Sequence, residues 1–187
     1  MNAPLPGTAE RVFALFLGLE QQARKVGNTE QLAFAMVNDG QALFGFRHAA
    51  LLIAGKVQAL TGISVVEAHA PFVAFVERAT ATLLKQERLD EGHNVDPTHL
   101  DEQARADMND LSAAHAYWLP LKNRSGETFG GLWLARDLPF NEAEQSLLRQ
   151  LADTYAHAWL ALQPHKPWRM RWPRKKLLAV AAALSLL

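Results

Sequence analysis

Val12, Leu15, Phe16, Leu19, Ala23 and Val26 recur at spacings of three and four. That is one apolar stripe at a helical period, and it predicts a helix that Thr8 caps and Gly27 closes. Asn28 followed by Gln31 has the form of a capping box for a second helix, which presents Leu32, Met36, Val37, Leu43 and Phe44 and ends at Gly45. His48 to Ala54 reads as a strand, Gly55 and Lys56 as a turn, and Val57 to Ile63 as the hairpin partner, interrupted by Gly62. Pro71 suits the first turn of a third helix reaching Lys85, with Phe72, Phe75, Val76 and Ala79 on one face.

A polar stretch follows in which Asn94, Asp96 and Pro97 predict loop, with a short helix from Leu100 to Met108. Tyr117 to Lys122 and Thr128 to Arg136 then flank Asn123, Arg124, Ser125 and Gly126, a composition suited to a tight turn. Neither strand alternates: Tyr117, Trp118, Leu119 and Leu121 are apolar, as are Phe129, Leu132, Trp133 and Leu134. Strands apolar on both faces imply a sheet covered on both sides. A last helix opens at Asn141, with Glu144 completing a capping box and Phe140 placed as a staple. Its stripe of Leu148, Leu151, Ala152, Tyr155, Trp159 and Leu162 matches that of the first helix, so both are expected against one sheet face. The fold class is α+β with a central antiparallel sheet.

Composition changes this picture in one respect. The 187 residues carry 19 Lys+Arg and 19 Asp+Glu, but the zero net charge is segregated. Glu87 to Asp110 holds eight acids against two bases, a net of −6, whereas Lys166 to Lys176 holds six bases and no acid, a net of +6. Neutrality of the whole argues against a nucleic-acid partner. With 49% hydrophobic residues the chain can bury a core, and with no cysteine it has neither disulfides nor thiolate chemistry.

The tail is organised differently from the rest. Pro164, Pro167 and Pro173 preclude one continuous helix, and two tryptophans lie among the bases: Lys166, Trp168, Arg169, Arg171, Trp172, Arg174, Lys175, Lys176. Leu177 to Leu187 then has no charge. Eleven helical residues rise only about 16 Å, roughly half the 30 Å core of a bilayer. Basic flanks mark the cytoplasmic side, and tryptophan prefers the headgroup interface. The expected organisation is a cytoplasmic domain at 1–163, a basic juxtamembrane linker at 164–176 and the beginning of a transmembrane helix at 177–187. Met1 to Gly7 contains no base, where a signal peptide would carry a positively charged start, so none is expected.

Over Leu15 to Leu162 the sequence resembles a GAF domain, the small-molecule sensor fold related to PAS. The likeness rests on the element order, on Tyr117-Trp118-Leu119-Pro120-Leu121, on Gly130-Gly131-Leu132-Trp133-Leu134-Ala135, and on Phe140-Asn141-Glu142-Ala143-Glu144. It implies a GAF-like sheet with the terminal helices on one face and a helix and loop connection on the other. The arrangement of domain, basic linker and outgoing membrane segment is similar to the cytoplasmic start of some haemolysin-D-type membrane-fusion proteins. That implies a bacterial inner-membrane anchor and a transporter or secretion-complex partner.

The chemistry of known GAF domains narrows the expectation. Bilin attachment and sulfoxide reduction in that family depend on cysteine, and the Asn-Lys then Phe-Asp-Glu signature of cyclic-nucleotide binders is missing. No catalytic constellation, metal site or cofactor is expected. Ser112 and His115 are close only in sequence, and His93 and His99 among Asp90, Glu91 and Asp96 read as a solvated polar loop. In GAF folds the pocket lies between the sheet and the connection, here about His69 to Ala114. Phe72, Phe75, Trp118 and Trp133 therefore either line a small-molecule pocket or fill the core. The acidic connection either lies solvated, docks to a basic surface or is repelled by anionic lipid. Two copies are expected to pair through the terminal helices. The function expected is that of a regulatory or interaction module, with a nucleotide or metabolite sensor as the alternative.

Overall fold

The computed structural model describes residues 8–163 of the chain, so the basic run at 164–176 and the apolar run at 177–187 lie outside the described residues. Helix α1 is Thr8–Lys25, with Thr8 itself the first helical residue. Helix α2 is Thr29–Asn38, capped where the Asn28 side chain accepts from the Gln31 amide at 2.8 Å. Gln31 reaches back to the Gly27 amide at 3.0 Å, one residue beyond a regular capping box. The second helix does not run on to Gly45. It breaks at Asp39 and Gly40 and resumes as the single turn α3, Gln41–Phe44. Gly40 lies under Phe46, whose ring would stand 3.3 Å from an added Cβ, and the break turns Phe44 and Phe46 into the core.

Strand β1 is His48–Ile53 and β2 is Lys56–Leu60, with Ile53 paired to Lys56. The turn is therefore Ala54-Gly55, one residue earlier than the glycine pattern suggested. Both residues have positive φ, 50° and 75°, as the twist of a two-residue hairpin requires. β2 also stops short of Ile63, where Gly62 takes a φ of 70°. Helix α4 is Pro71–Lys85.

The connection is more built than its composition implied. His93–Asn94 forms a short strand, β3, and Pro97–His99 a 3-10 turn. Helix α5, Glu102–Asp107, continues into a π-helical turn at Met108–Ser112. Asp96 caps the 3-10 turn through the Thr98 amide, and Asp101 caps α5 through the Ala104 amide. Two of the expected surface acids are thus helix-starting groups.

Strand β4 is His115–Lys122, β5 is Thr128–Arg136, and helix α6 is Glu142–Leu162. The five strands form one antiparallel sheet in the order β2-β1-β5-β4-β3. Asn141 and Glu144 form the complete capping box of α6. Phe140, however, staples nothing at the fourth helical position, which is Gln145, a donor to the Phe140 carbonyl. The Phe140 ring packs instead on Tyr117, with centroids 5.4 Å apart, and under the Arg136 guanidinium.

Both sheet faces are buried, as the doubly apolar strands required. On one face Leu51, Tyr117, Leu119, Leu121, Leu132 and Leu134 meet α1, α2, α3 and α6. On the other Leu52, Trp118 and Trp133 meet α4, α5 and the connection. Among the described residues no helix is long and apolar enough to cross a membrane.

Candidate functional site

The face under α4 is where a ligand pocket was expected, and its centre is filled. Phe75 and Trp133 have no exposed surface and meet edge to face with centroids 5.7 Å apart, while Trp118 pairs across β4 and β5 directly opposite Trp133. Each indole N–H is satisfied internally. Trp133 Nε1 donates to Ser112 Oγ at 3.1 Å, and Trp118 Nε1 to the Leu89 carbonyl at 2.9 Å. Phe72 is half-buried and packs on Phe75 and His48 at the other end of α4. Of the four aromatic residues, three are core and one flanks it.

A cavity of about 280 Å³ survives at the edge of this layer, between the β1–β2 hairpin, α4 and the start of β5. Leu52, Ala81, Leu84, Leu89, Phe129 and one edge of Trp118 make it apolar. Glu77 and Asp90 stand on its rim. Glu77 is held by Lys56 Nζ at 2.7 Å and the Val57 amide at 3.1 Å, and Asp90 accepts from Thr128 Oγ1 at 2.9 Å. Of the expected wall residues only Trp118 touches this space.

A second concavity of about 470 Å³ opens on the other side of β4, against α6. Leu119, Pro120 and Ala152 floor it, and five charged side chains surround it: Lys122 and Arg149, and Asp90, Glu91 and Asp153. Among the described residues none of these five forms an ion pair. Behind Gly92, at its edge, the Tyr117 hydroxyl is buried beside the Arg149 guanidinium, a donor, and finds no acceptor for its own proton among the described residues. An added Cβ on Gly92 would stand 2.6 Å from that oxygen, so only glycine fits. Burial pushes the phenol above its ordinary value, and the neighbouring Arg149 guanidinium opposes the shift. No local pattern marks this grouping, because 90–92, 122 and 149–153 come from three separate segments. The one available signal was the pair Lys122 and Arg149, both outside the apolar stripes.

Ser112 and His115 form no nucleophile and base, and His93 is only half engaged, its Nε2 being buried without a partner among the described residues. Ser112 accepts from Trp133, and His93 Nδ1 lies 2.9 Å from the Glu91 carbonyl. Among the described residues no three His, Asp or Glu side chains gather as a metal site would require.

No family model matches the chain, and no curated protein does. Solved structures match it along most of its length. The GAF domain of an Acinetobacter phosphoenolpyruvate-protein phosphotransferase superposes with a TM-score of 0.58 at 15% identity, covering 81% of this chain and 94% of its own. The GAF domain of the Coxiella burnetii phosphoenolpyruvate-protein phosphotransferase gives 0.57 at 16%, covering 97% and 100%. The chromophore-binding domain of a bacteriophytochrome from R. palustris gives 0.59 at 10%, covering 82% of this chain and 62% of that one, so the chain spans less than two thirds of that protein. The described residues have the GAF fold.

Proposed function

We propose that this GAF-fold domain is a non-enzymatic regulatory or protein-interaction module. Its basic, tryptophan-bearing tail tethers it to the bacterial inner membrane, with residues 1–163 on the cytoplasmic side, as part of a secretion or efflux membrane-fusion adaptor. The observation that supports a module acting by contact is the filling of the α4 face. Phe75, Trp118 and Trp133 occupy the space between sheet and connection, and their polar atoms are satisfied within the protein. The tether rests on the charge and aromatic pattern of 164–187.

Flotation with anionic phospholipid vesicles tests the tether. The whole chain is expected to float with the vesicles, and a chain ending at residue 163 to stay behind. A whole chain that remains in the dense fraction refutes tethering. Deleting 1–163 is expected to leave membrane association intact and to change partner recruitment; an unchanged complex refutes the regulatory role.

The alternative is a sensor for a nucleotide or small metabolite, and the apolar cavity beside Trp118 is what favours it. Its volume suits a fragment-sized apolar group. A thermal-shift panel of nucleotides with Leu84→Arg as control decides this reading, which stands only if a shift appears and the substitution removes it.

A further inference from the structure

We propose that the concavity between β4, the Asp90–Gly92 loop and α6 binds a small zwitterion of the amino-acid class, its carboxylate against Arg149 and Lys122 and its ammonium among Asp90, Glu91 and Asp153. This site lies across β4 from the space that the GAF fold assigns to ligands, and it goes beyond the regulatory reading by giving the domain an input of its own.

Three observations carry it. The first is the charge arrangement. Arg149 and Asp153 are four residues apart on α6, close enough to pair, yet they form no ion pair, and neither do Lys122, Asp90 or Glu91. Asp90 accepts from Thr128 Oγ1 and Arg149 donates to Ser146 Oγ, but no charge of either sign around the hollow is neutralised by an opposite one, and a ligand bearing a single charge would not balance them.

The second is the Tyr117 hydroxyl. A buried hydroxyl proton without an acceptor costs about 1–3 kcal/mol, and this one, behind Gly92 and beside the Arg149 donor, has none. A carboxylate seated on Arg149 supplies the acceptor that the protein does not. The third is the floor, where Leu119, Pro120 and Ala152 offer an apolar surface to an aliphatic side chain. Gly92, which lines the hollow, is all that stands in front of that hydroxyl, and an added Cβ there would come 2.6 Å from the oxygen.

The test is isothermal titration of the whole chain with L-leucine and L-methionine, alongside leucinamide, which lacks the carboxylate, and 4-methylpentanoate, which lacks the ammonium. The amino acids are expected to bind and both truncated compounds to bind at least about tenfold more weakly, since each loses a charge-assisted contact. Arg149→Gln and Asp153→Asn, at exposed positions, are each expected to weaken binding about tenfold with unchanged circular dichroism. Tyr117→Phe, which removes only the unpartnered oxygen, is expected to weaken it severalfold while leaving the melting temperature equal or higher. Absence of binding by any amino acid overturns the proposal. So does equal binding of 4-methylpentanoate, which would make the hollow an anion site, or binding that survives both Arg149→Gln and Asp153→Asn. None of these outcomes depends on the membrane tether, which flotation tests separately.

Discussion

Arg136 and Glu144 are joined by two parallel hydrogen bonds, Nη1 to Oε1 at 2.8 Å and Nη2 to Oε2 at 2.6 Å. The arginine spends its other donors on the carbonyls of Phe44, Leu138 and Pro139, and its guanidinium lies 3.9 Å from the centre of the Phe140 ring. All five N–H groups are therefore used, and one side chain fastens the end of β5, the start of α6 and the end of α3. Glu144 completes the join by accepting from the Asn141 amide.

Because this arginine closes so many groups, Arg136→Ala is expected to cost about 3–5 kcal/mol, leaving a carboxylate and several carbonyls unpartnered. Arg136→Lys restores the charge but not the fork, and should recover only a small part. Urea denaturation measures both.

The pH dependence follows from the same carboxylate. The hydrogen bonds from Arg136 hold the Glu144 carboxyl below its ordinary value of 4.5, and the Ala104 amide holds that of Asp101 below 3.8. The unfolded chain therefore takes up these protons first. Their contribution is complete above the ordinary carboxylate values and is lost as pH falls through the lower folded values. Asp39 has the opposite sign, since burial raises its carboxyl. The urea midpoint should hold from neutral pH to about pH 5 and fall progressively below it, and Glu144→Gln should flatten that fall while Asp39→Asn steepens it.

Gly131 faces the indole of Trp118 across the β4–β5 ladder, and Gly130 meets the backbone oxygen of Leu52 on β1. A Cβ at either place collides with a group that cannot yield freely. Gly130→Ala and Gly131→Ala are each expected to destabilise by about 1–3 kcal/mol, seen as a lowered thermal midpoint. Gly18→Ala, where a Cβ meets nothing within 4 Å, should stabilise α1 slightly and serves as the control.

Trp133→Phe leaves Ser112 Oγ without the indole donor in a buried turn. A loss of about 1–3 kcal/mol is expected. Adding Ser112→Ala should return part of it, and a double-mutant cycle reads the coupling directly.

Phe13 is 63% exposed and Leu17 37% exposed, one turn apart on α1. We propose that two copies pair through these two residues, which lie on α1 outside the stripe that packs into the core. Light scattering of the whole chain in mild detergent should give the dimer, and Phe13→Ser with Leu17→Ser the monomer. A wild-type chain that stays monomeric at high concentration refutes the pairing.

The elements were legible where a local rule governs them. The periods of α1 and α6, the Asn141–Glu144 box and the two-sided burial of β4 and β5 all follow from spacing and local hydrogen bonding, which act between residues a few positions apart. Misplaced boundaries have tertiary causes. Gly40 breaks the second helix because Phe44 and Phe46 turn inward around it, and the first hairpin turns at Ala54 because Ile53 pairs with Lys56. Phe140 was placed as a staple but is claimed by Tyr117 and Arg136 instead.

Sequence by itself determined that this chain folds as an α+β domain around a sheet buried on both faces, and that its charges are segregated into an acidic connection and a basic tail. Tertiary structure decided what those features do within 8–163. It made core of Phe75, Trp118 and Trp133 and helix caps of Asp96 and Asp101. It also gathered Lys122, Arg149, Asp153 and the Tyr117 hydroxyl beside one hollow. Periodicity fixes which face a residue occupies within its own element. Only packing fixes which distant residue it faces, and both hollows beside β4 are lined by such distant residues.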